Sequence, residues 1–323
     1  MSIVQTIRGP IDSSALGRTL SHEHLTNGVS GMERVPGLLR RDEMVARCVE
    51  ALERVRASGI ESIIDLTPFD LGRQAWLFEQ VAERTSVNVV CATGVYRWVP
   101  PIYFDWDEDE IAGHFAREIT DGIEGTGLHA GIIKLAWDLE YRLNEGVPRF
   151  TPRGLLERTA RAAARAAKAT GVPISCHTRA VDELGTPLLD IFADEGLDLR
   201  AVTIGHSNDT TDLGYLTGIA RRGAVVGLDR FFSKADDYVA QRSGIALALI
   251  QAGFAEQVCL GHDASPAGLW GRWRDPNPEC WTLVPEFEVP WLLAHGATAA
   301  DADAVLRRSI RSTFEAAARM AGR

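Results

Sequence analysis

The chain has 323 residues, 46% hydrophobic and 24% charged, which supports a sizeable core and excludes a disordered chain. A net charge of −10 argues against nucleic acid or an anionic membrane surface as the main partner. No apolar run reaches the ~20 residues of a membrane span. The start MSIVQTIRGP lacks a secretory pattern, and the five scattered cysteines form no CxxC pair, so a cytoplasmic setting is expected.

The first predicted strand, GRTLSHEHL (17–25), sets Glu23 between two histidines. Side chains alternate along a strand, so His22 and His24 face one way and Glu23 the other. That pair alone fits either a metal site or ordinary hydrogen-bonded strand residues. Further β-rich runs follow at 60–67, 87–96, 129–137, 172–178, 201–207, 223–229 and 257–263. Helical patterns separate most of them, at 41–57, 71–84, 107–121, 211–222 and 235–253, with a last one over 300–319. The clearest is the helix after the fourth strand, with Thr151 as N-cap, Pro152 at the first helical position and Gly171 past the end.

Eight buried strands alternating with helices predict a parallel sheet, and eight is the number that closes a (β/α)8 TIM barrel. The competitor, a doubly wound open sheet, calls for a glycine-rich turn after the first strand, and HEHLTNG is not one. The α/β barrel is therefore the predicted fold, with residues 1–323 as a single domain.

On a barrel the site lies at the C-terminal strand ends. His22 and His24 end the first strand, Lys134 lies in the fourth, His177 ends the fifth, His206 the sixth and Asp263 the eighth. His114, His129 and His295 fall elsewhere, and His262, next to Asp263, should point outward toward the helices. Four imidazoles and a carboxylate exceed the three protein ligands of a typical single catalytic zinc, so two divalent ions are expected. An ammonium is no ligand, but a neutral lysine amine can take up carbon dioxide and become a carbamate. Lys134 in that form would bridge the two ions.

The motifs TLSHEHL, AGIIKLA, ISCHT, IGHSNDTTDLGYL, VVGLDRF and GHD, in that order, resemble the phosphotriesterase family of the amidohydrolase superfamily along nearly the whole chain. The resemblance implies that His22, His24 and Asp263 hold a more buried metal and that His177 and His206 hold a more exposed one. Carboxylated Lys134 would join them. Zinc is the expected metal, with cobalt, iron or manganese as substitutes, and Asp263 is the expected proton acceptor. Tyr96 and Trp98 in TGVYRW, Arg230 in GLDRF and Trp270 resemble pocket residues of the family's lactonases. This implies a homodimeric lactonase acting on N-acyl-homoserine or other aliphatic lactones, with organophosphate triesters as side substrates. An amidase or carboxylesterase of the same family is the alternative, and a non-catalytic binding protein on this fold is a more distant one. Two segments depart from the family pattern, 138–150 and the tryptophan-rich stretch 264–287. The latter, with Trp270, Trp273 and Trp281, reads equally as an apolar lid or a subunit contact.

Overall fold

The computed structural model describes residues 2–96, 99–138, 152–269 and 277–322. Two short antiparallel strands come first, β1 (Ile3–Thr6) and β2 (Gly9–Asp12), a hairpin that the sequence reading did not anticipate. Eight parallel strands follow: β3 (Thr19–Glu23), β4 (Ser62–Asp65), β5 (Asn88–Gly94), β6 (Ile132–Trp137), β7 (Ile174–Thr178), β8 (Val202–Gly205), β9 (Val225–Leu228) and β10 (Val258–Leu260). They lie side by side in sequence order. Asp263 N–H donates to the His22 carbonyl at 2.9 Å and the Ser21 hydroxyl to the Leu260 carbonyl at 2.9 Å, so the last strand returns to the first. The result is the expected (β/α)8 barrel.

Helices cover the outside. These are α1 (Arg41–Ala57), α2 (Ala75–Ala82), α3 (Glu108–Thr120), α4 (Pro152–Thr170), α5 (Gly185–Asp194), α6 (Leu213–Arg221) and α7 (Asp236–Gln251), then α8 (Val289–Ala294), α9 (Ala299–Asp303) and α10 (Ser309–Met320) after the last strand. The helix expected over 71–84 is shorter, because Pro68 and Gly72 shape a tight turn ahead of it. Helix α5 escaped prediction because it opens on Gly185 and carries Pro187, which the first turn tolerates. The expected N-cap Thr151 lies outside the described residues, while Gly171 does close α4 with φ +77°. Among the described residues no helix is long and apolar enough to cross a membrane.

Strand alternation divides the core in two. Ile63, Val89, Cys91, Ile133, Val226 and Leu260 face the helices. Their neighbours Ile64, Val90, Ala92, Ile132, Val225 and Cys259 form an inner cluster, with Val4, Leu16, Ile310 and Phe314 packed against it. That apolar plug fills the lower barrel and leaves the C-terminal strand ends for polar groups.

Candidate metal centre

Continuing the inward row of β6 from Ile132 brings Lys134 to the top of the plug, 1% exposed. Its Nζ lies 3.1 Å from His22 Nε2. Gly94 at the end of β5 permits this packing, since a Cβ there would fall 2.0 Å from the Lys134 carbonyl oxygen. On β3 the register against β4 shifts between Leu20 and Glu23, just where the histidines begin. Such irregularities often re-aim side chains next to a site. His22, His24, Lys134, His177, His206 and Asp263 line one pocket of about 240 Å³, together with Asn27, Leu71 and Tyr96.

Each histidine has one nitrogen engaged by the protein. His22 Nδ1 donates to Asp229 Oδ2 at 2.6 Å, and His206 Nδ1 donates to Asp229 Oδ1 at 2.8 Å. His24 Nδ1 donates to Thr67 Oγ1 at 2.8 Å, whose own proton goes to the Thr26 carbonyl. His177 Nε2 donates to Asp138 Oδ2 at 3.1 Å. The opposite nitrogens then carry lone pairs. Burial takes the imidazoles of His22 and His206 down to about 4 and about 3, and lowers His177 as well, so these rings are neutral.

The lone pairs meet acceptor against acceptor. His206 Nε2 and His177 Nδ1 are 2.6 Å apart, and His24 Nε2 is 3.1 Å from Asp263 Oδ1. At the His206–His177 contact two lone pairs face each other, which a cation beside them would relieve, and His24 Nε2 and Asp263 Oδ1 converge in the same way when His24 carries its proton on Nδ1, so the donor set fits metal ions. The donor atoms of His22, His24 and Asp263 lie within 4.8 Å of one another and could share one ion; those of His22, His206 and Asp229 meet the same distance test. Asp229, however, already accepts on the Nδ1 edges of both rings, which makes it an orienting group for two ligands.

The chain matches the phosphotriesterase family model over residues 2–314. It belongs to the phosphotriesterase family. Among its relatives, a phosphotriesterase homology protein of Mycobacterium tuberculosis is 38% identical over 82% of this chain and 81% of its own. An aryldialkylphosphatase of Saccharolobus solfataricus is 33% identical over 88% and 91%, and a phosphotriesterase homology protein of Escherichia coli is 30% identical over 93% and 98%. With this family and this cluster, the centre is that of a metal-dependent hydrolase with a candidate binuclear site.

The other residues that the phosphotriesterase resemblance singled out are placed as follows. Tyr96 packs edge-on to His177, ring centres 5.2 Å apart, and its backbone N–H is held by the buried Asp70 carboxylate at 2.9 Å. Arg230 Nε lies 3.5 Å from Asp263 Oδ2, and its Nη1 is paired with Asp209. Trp98 and Trp270, with Trp273 and the segment 139–150, lie outside the described residues. Trp281 belongs to neither the lid nor the subunit contact expected of that stretch: it is fully buried and donates from Nε1 to the Ala264 carbonyl at 3.1 Å, so it is core. Away from the pocket, His114 bonds Tyr103, His129 bonds the Ile119 carbonyl and His295 stacks on Trp291. His262 does point outward, toward Val284 N–H at 2.9 Å. Sequence reasoning missed Asp229, Thr67, Asp138 and Asn27. Asp229 left a signal, as an acidic residue ending the seventh predicted strand.

Proposed function

We propose that the protein opens lactones by attack of water at the ring carbonyl, and that organophosphate triesters are side substrates. The observation that carries the metal-dependent hydrolysis in this reading is the set of four histidines, each with one nitrogen held by the protein and the other turned to the pocket; the lactone as substrate rests on the resemblance of Tyr96 and Arg230 to lactonase pocket residues. His22, His24 and Asp263 would hold one divalent cation and His177 and His206 a second, zinc being the first choice. Burial brings the Lys134 amine down to about 8, against the opposing pull of Asp263 and Asp229. A share of it is therefore neutral near physiological pH, and a neutral amine there could take up carbon dioxide, with loss of a proton, to give a carbamate; in that form Lys134 would be a ligand shared by the two cations. When bound, such a pair lowers the pKa of water from about 15.7 to near 7 and draws charge from a polarised carbonyl or phosphoryl oxygen.

The chain's own groups do the remaining work. Asp263 lies between the two histidine pairs, with Oδ1 3.1 Å from His24 and Oδ2 3.9 Å from His206, and is placed to take the proton of the attacking water. Arg230, always charged, cannot accept that proton; it steadies Asp263 and offers a cation to the carboxylate that ring opening releases. Tyr96 is placed to hydrogen-bond the substrate oxygen across from His177, with Leu71 as an apolar wall and Asn27 as a polar one. A pocket shaped for the tetrahedral intermediate of lactone opening also suits tetrahedral phosphorus, and one relative bears the name aryldialkylphosphatase.

The test is metal content by elemental analysis beside a pH-indicator screen of lactones, esters, amides and a phosphotriester. About two metals per chain with lactones turned over fastest is the expected result. Two metals with amides or simple esters preferred overturns the substrate class. No metal after reconstitution with zinc or cobalt and bicarbonate overturns the centre.

A further inference from the structure

The seam between β10 and β3 carries His22, His24 and Asp263, and a second pair of ionisable groups lies behind it. Glu23 and His262 are both 0% exposed, and neither lines the pocket. Glu23 Oε1 accepts from the His262 backbone N–H at 2.9 Å and from Nδ1 at 2.7 Å, and Oε2 accepts from Ala264 N–H at 3.5 Å. The other ring nitrogen, Nε2, accepts from Val284 N–H at 2.9 Å. A backbone N–H can only donate, so the His262 proton sits on Nδ1 and goes to Glu23.

We propose that the Glu23–His262 pair positions the metal centre by fixing Asp263 against His22 and His24. Three observations carry this. Among the described residues β10 and β3 share no regular ladder; a few backbone bonds cross the seam past the strand ends, Asp263 N–H to the His22 carbonyl at 2.9 Å and His24 N–H to the Ala264 carbonyl at 3.0 Å, and the Glu23 carboxylate braces the same short stretch through His262 and Ala264. The approach is also close: a Cβ on Gly261 would fall 2.9 Å from His22 N. And Asp263 itself has φ +53°, a left-handed conformation that persists in a non-glycine residue only where its surroundings over-determine it. Stability alone does not account for the pair, since well-packed apolar groups of the same shape generally stabilise a core at least as well. Each partner is one residue from a predicted ligand on the opposite face, so a shift of either moves a ligand directly. The inference rests on the metal-centre reading above.

Two substitutions separate the two sides of His262. H262Q keeps an accepting oxygen for Val284 and gives up the Glu23 bond; H262N keeps a donor for Glu23 and gives up the Val284 bond. Cobalt affinity by chelator competition, the visible spectrum of the cobalt form and the melting temperature of the metal-free chain are measured for each. H262Q should lose roughly 10- to 100-fold in affinity with a changed spectrum, while H262N stays close to wild type. Equal affinity and spectra in both variants, with only the melting temperature lowered, overturn the proposal. Should H262Q not fold, E23Q puts the same question more gently, because it keeps one accepting oxygen and turns an amide N–H2 against Ala264. A shifted cobalt spectrum in E23Q supports the pair's role and an unchanged one overturns it. A wild-type chain that takes up no cobalt removes the centre itself, and the inference with it.

Discussion

Replacing Asp229 by asparagine changes few atoms but removes an acceptor that two predicted ligands share. The carboxylate takes three donors: His22 Nδ1 at 2.6 Å, His206 Nδ1 at 2.8 Å and the His206 backbone N–H at 2.8 Å. A carboxamide offers one oxygen, and its nitrogen can only donate. One imidazole can keep its orientation. The other must turn a lone pair toward the new N–H2, which moves its proton to Nε2, the nitrogen that faces the pocket. Loss of such an orienting partner typically lowers metal affinity 10- to 100-fold, about 1.4 to 2.7 kcal/mol. His22 and His206 stand on different proposed metals, so one position should weaken far more than the other. Zinc or cobalt titration with a competing chelator should give two unequal affinities for Asp229→Asn where the wild type binds both ions tightly. Two ions held at wild-type affinity would refute the reasoning. So would complete loss of one ion even at high metal concentration, because Asp229 would then itself be a ligand.

Tyr96→Phe should leave metal content unchanged and lower lactone kcat/KM by roughly tenfold, the worth of one hydrogen bond; unchanged kinetics would make Tyr96 a packing residue. Glu288 is buried against α7, with Oε2 accepting from the Ser243 hydroxyl at 2.7 Å and Oε1 without a partner among the described residues, and burial raises its carboxyl to about 7. The folded state thus holds a proton that the unfolded chain releases near pH 4.5, so Glu288 weakens the fold as pH rises from there through 7. Glu288→Gln should therefore raise the unfolding free energy measured by urea denaturation at pH 8, by at most about 3 kcal/mol, and bring no gain at pH 4.5; a pH-independent effect would contradict the linkage. Arg73 sits on Glu118 through contacts of 2.9 and 2.5 Å and also donates to the Ala92 carbonyl. Arg73→Met strands that carboxylate in the core and should cost about 3–5 kcal/mol in urea unfolding at pH 7, less at pH 4 where Glu118 can take a proton. An equal loss at both pH values would argue for packing alone.

The barrel and the residues around its pocket were legible for one reason. Strand alternation sends His22, His24, Lys134, His177, His206 and Asp263 inward near strand ends, and a closed parallel barrel converges those ends on one place. The residues that hold the histidines were not legible the same way. Thr67 serves His24 across β3 and β4, Asp138 serves His177 across β6 and β7, and Asp229 spans three strands. Those contacts depend on which neighbours meet at which height, which period alone does not give. A chemical rule points to them nonetheless: a ligating imidazole needs an acceptor for its second nitrogen, so strand-end acids left without a role are the place to look. Trp281 misled for the opposite reason. Aromatic composition suggested a surface loop, whereas the indole N–H had a backbone carbonyl within the core.

Two pocket residues, His206 and Asp263, have left-handed backbones, with φ +59° and +53°. Each such residue stores of order 1–3 kcal/mol and persists only where neighbours hold it. Here the restraints form a chain across the barrel top. The Asp263 N–H is fixed by the His22 carbonyl, the His22 ring by Asp229, and Asp229 in turn binds both the ring and the backbone N–H of His206. The strain at β8 and at β10 is thus balanced through β9, which lies between them, and through β3, far from all three in sequence. The same links that hold the backbones also set which imidazole nitrogen faces the pocket, so ligand orientation and backbone strain should relax together. That is why the Asp229→Asn substitution is expected to disturb metal binding well beyond the loss of one hydrogen bond.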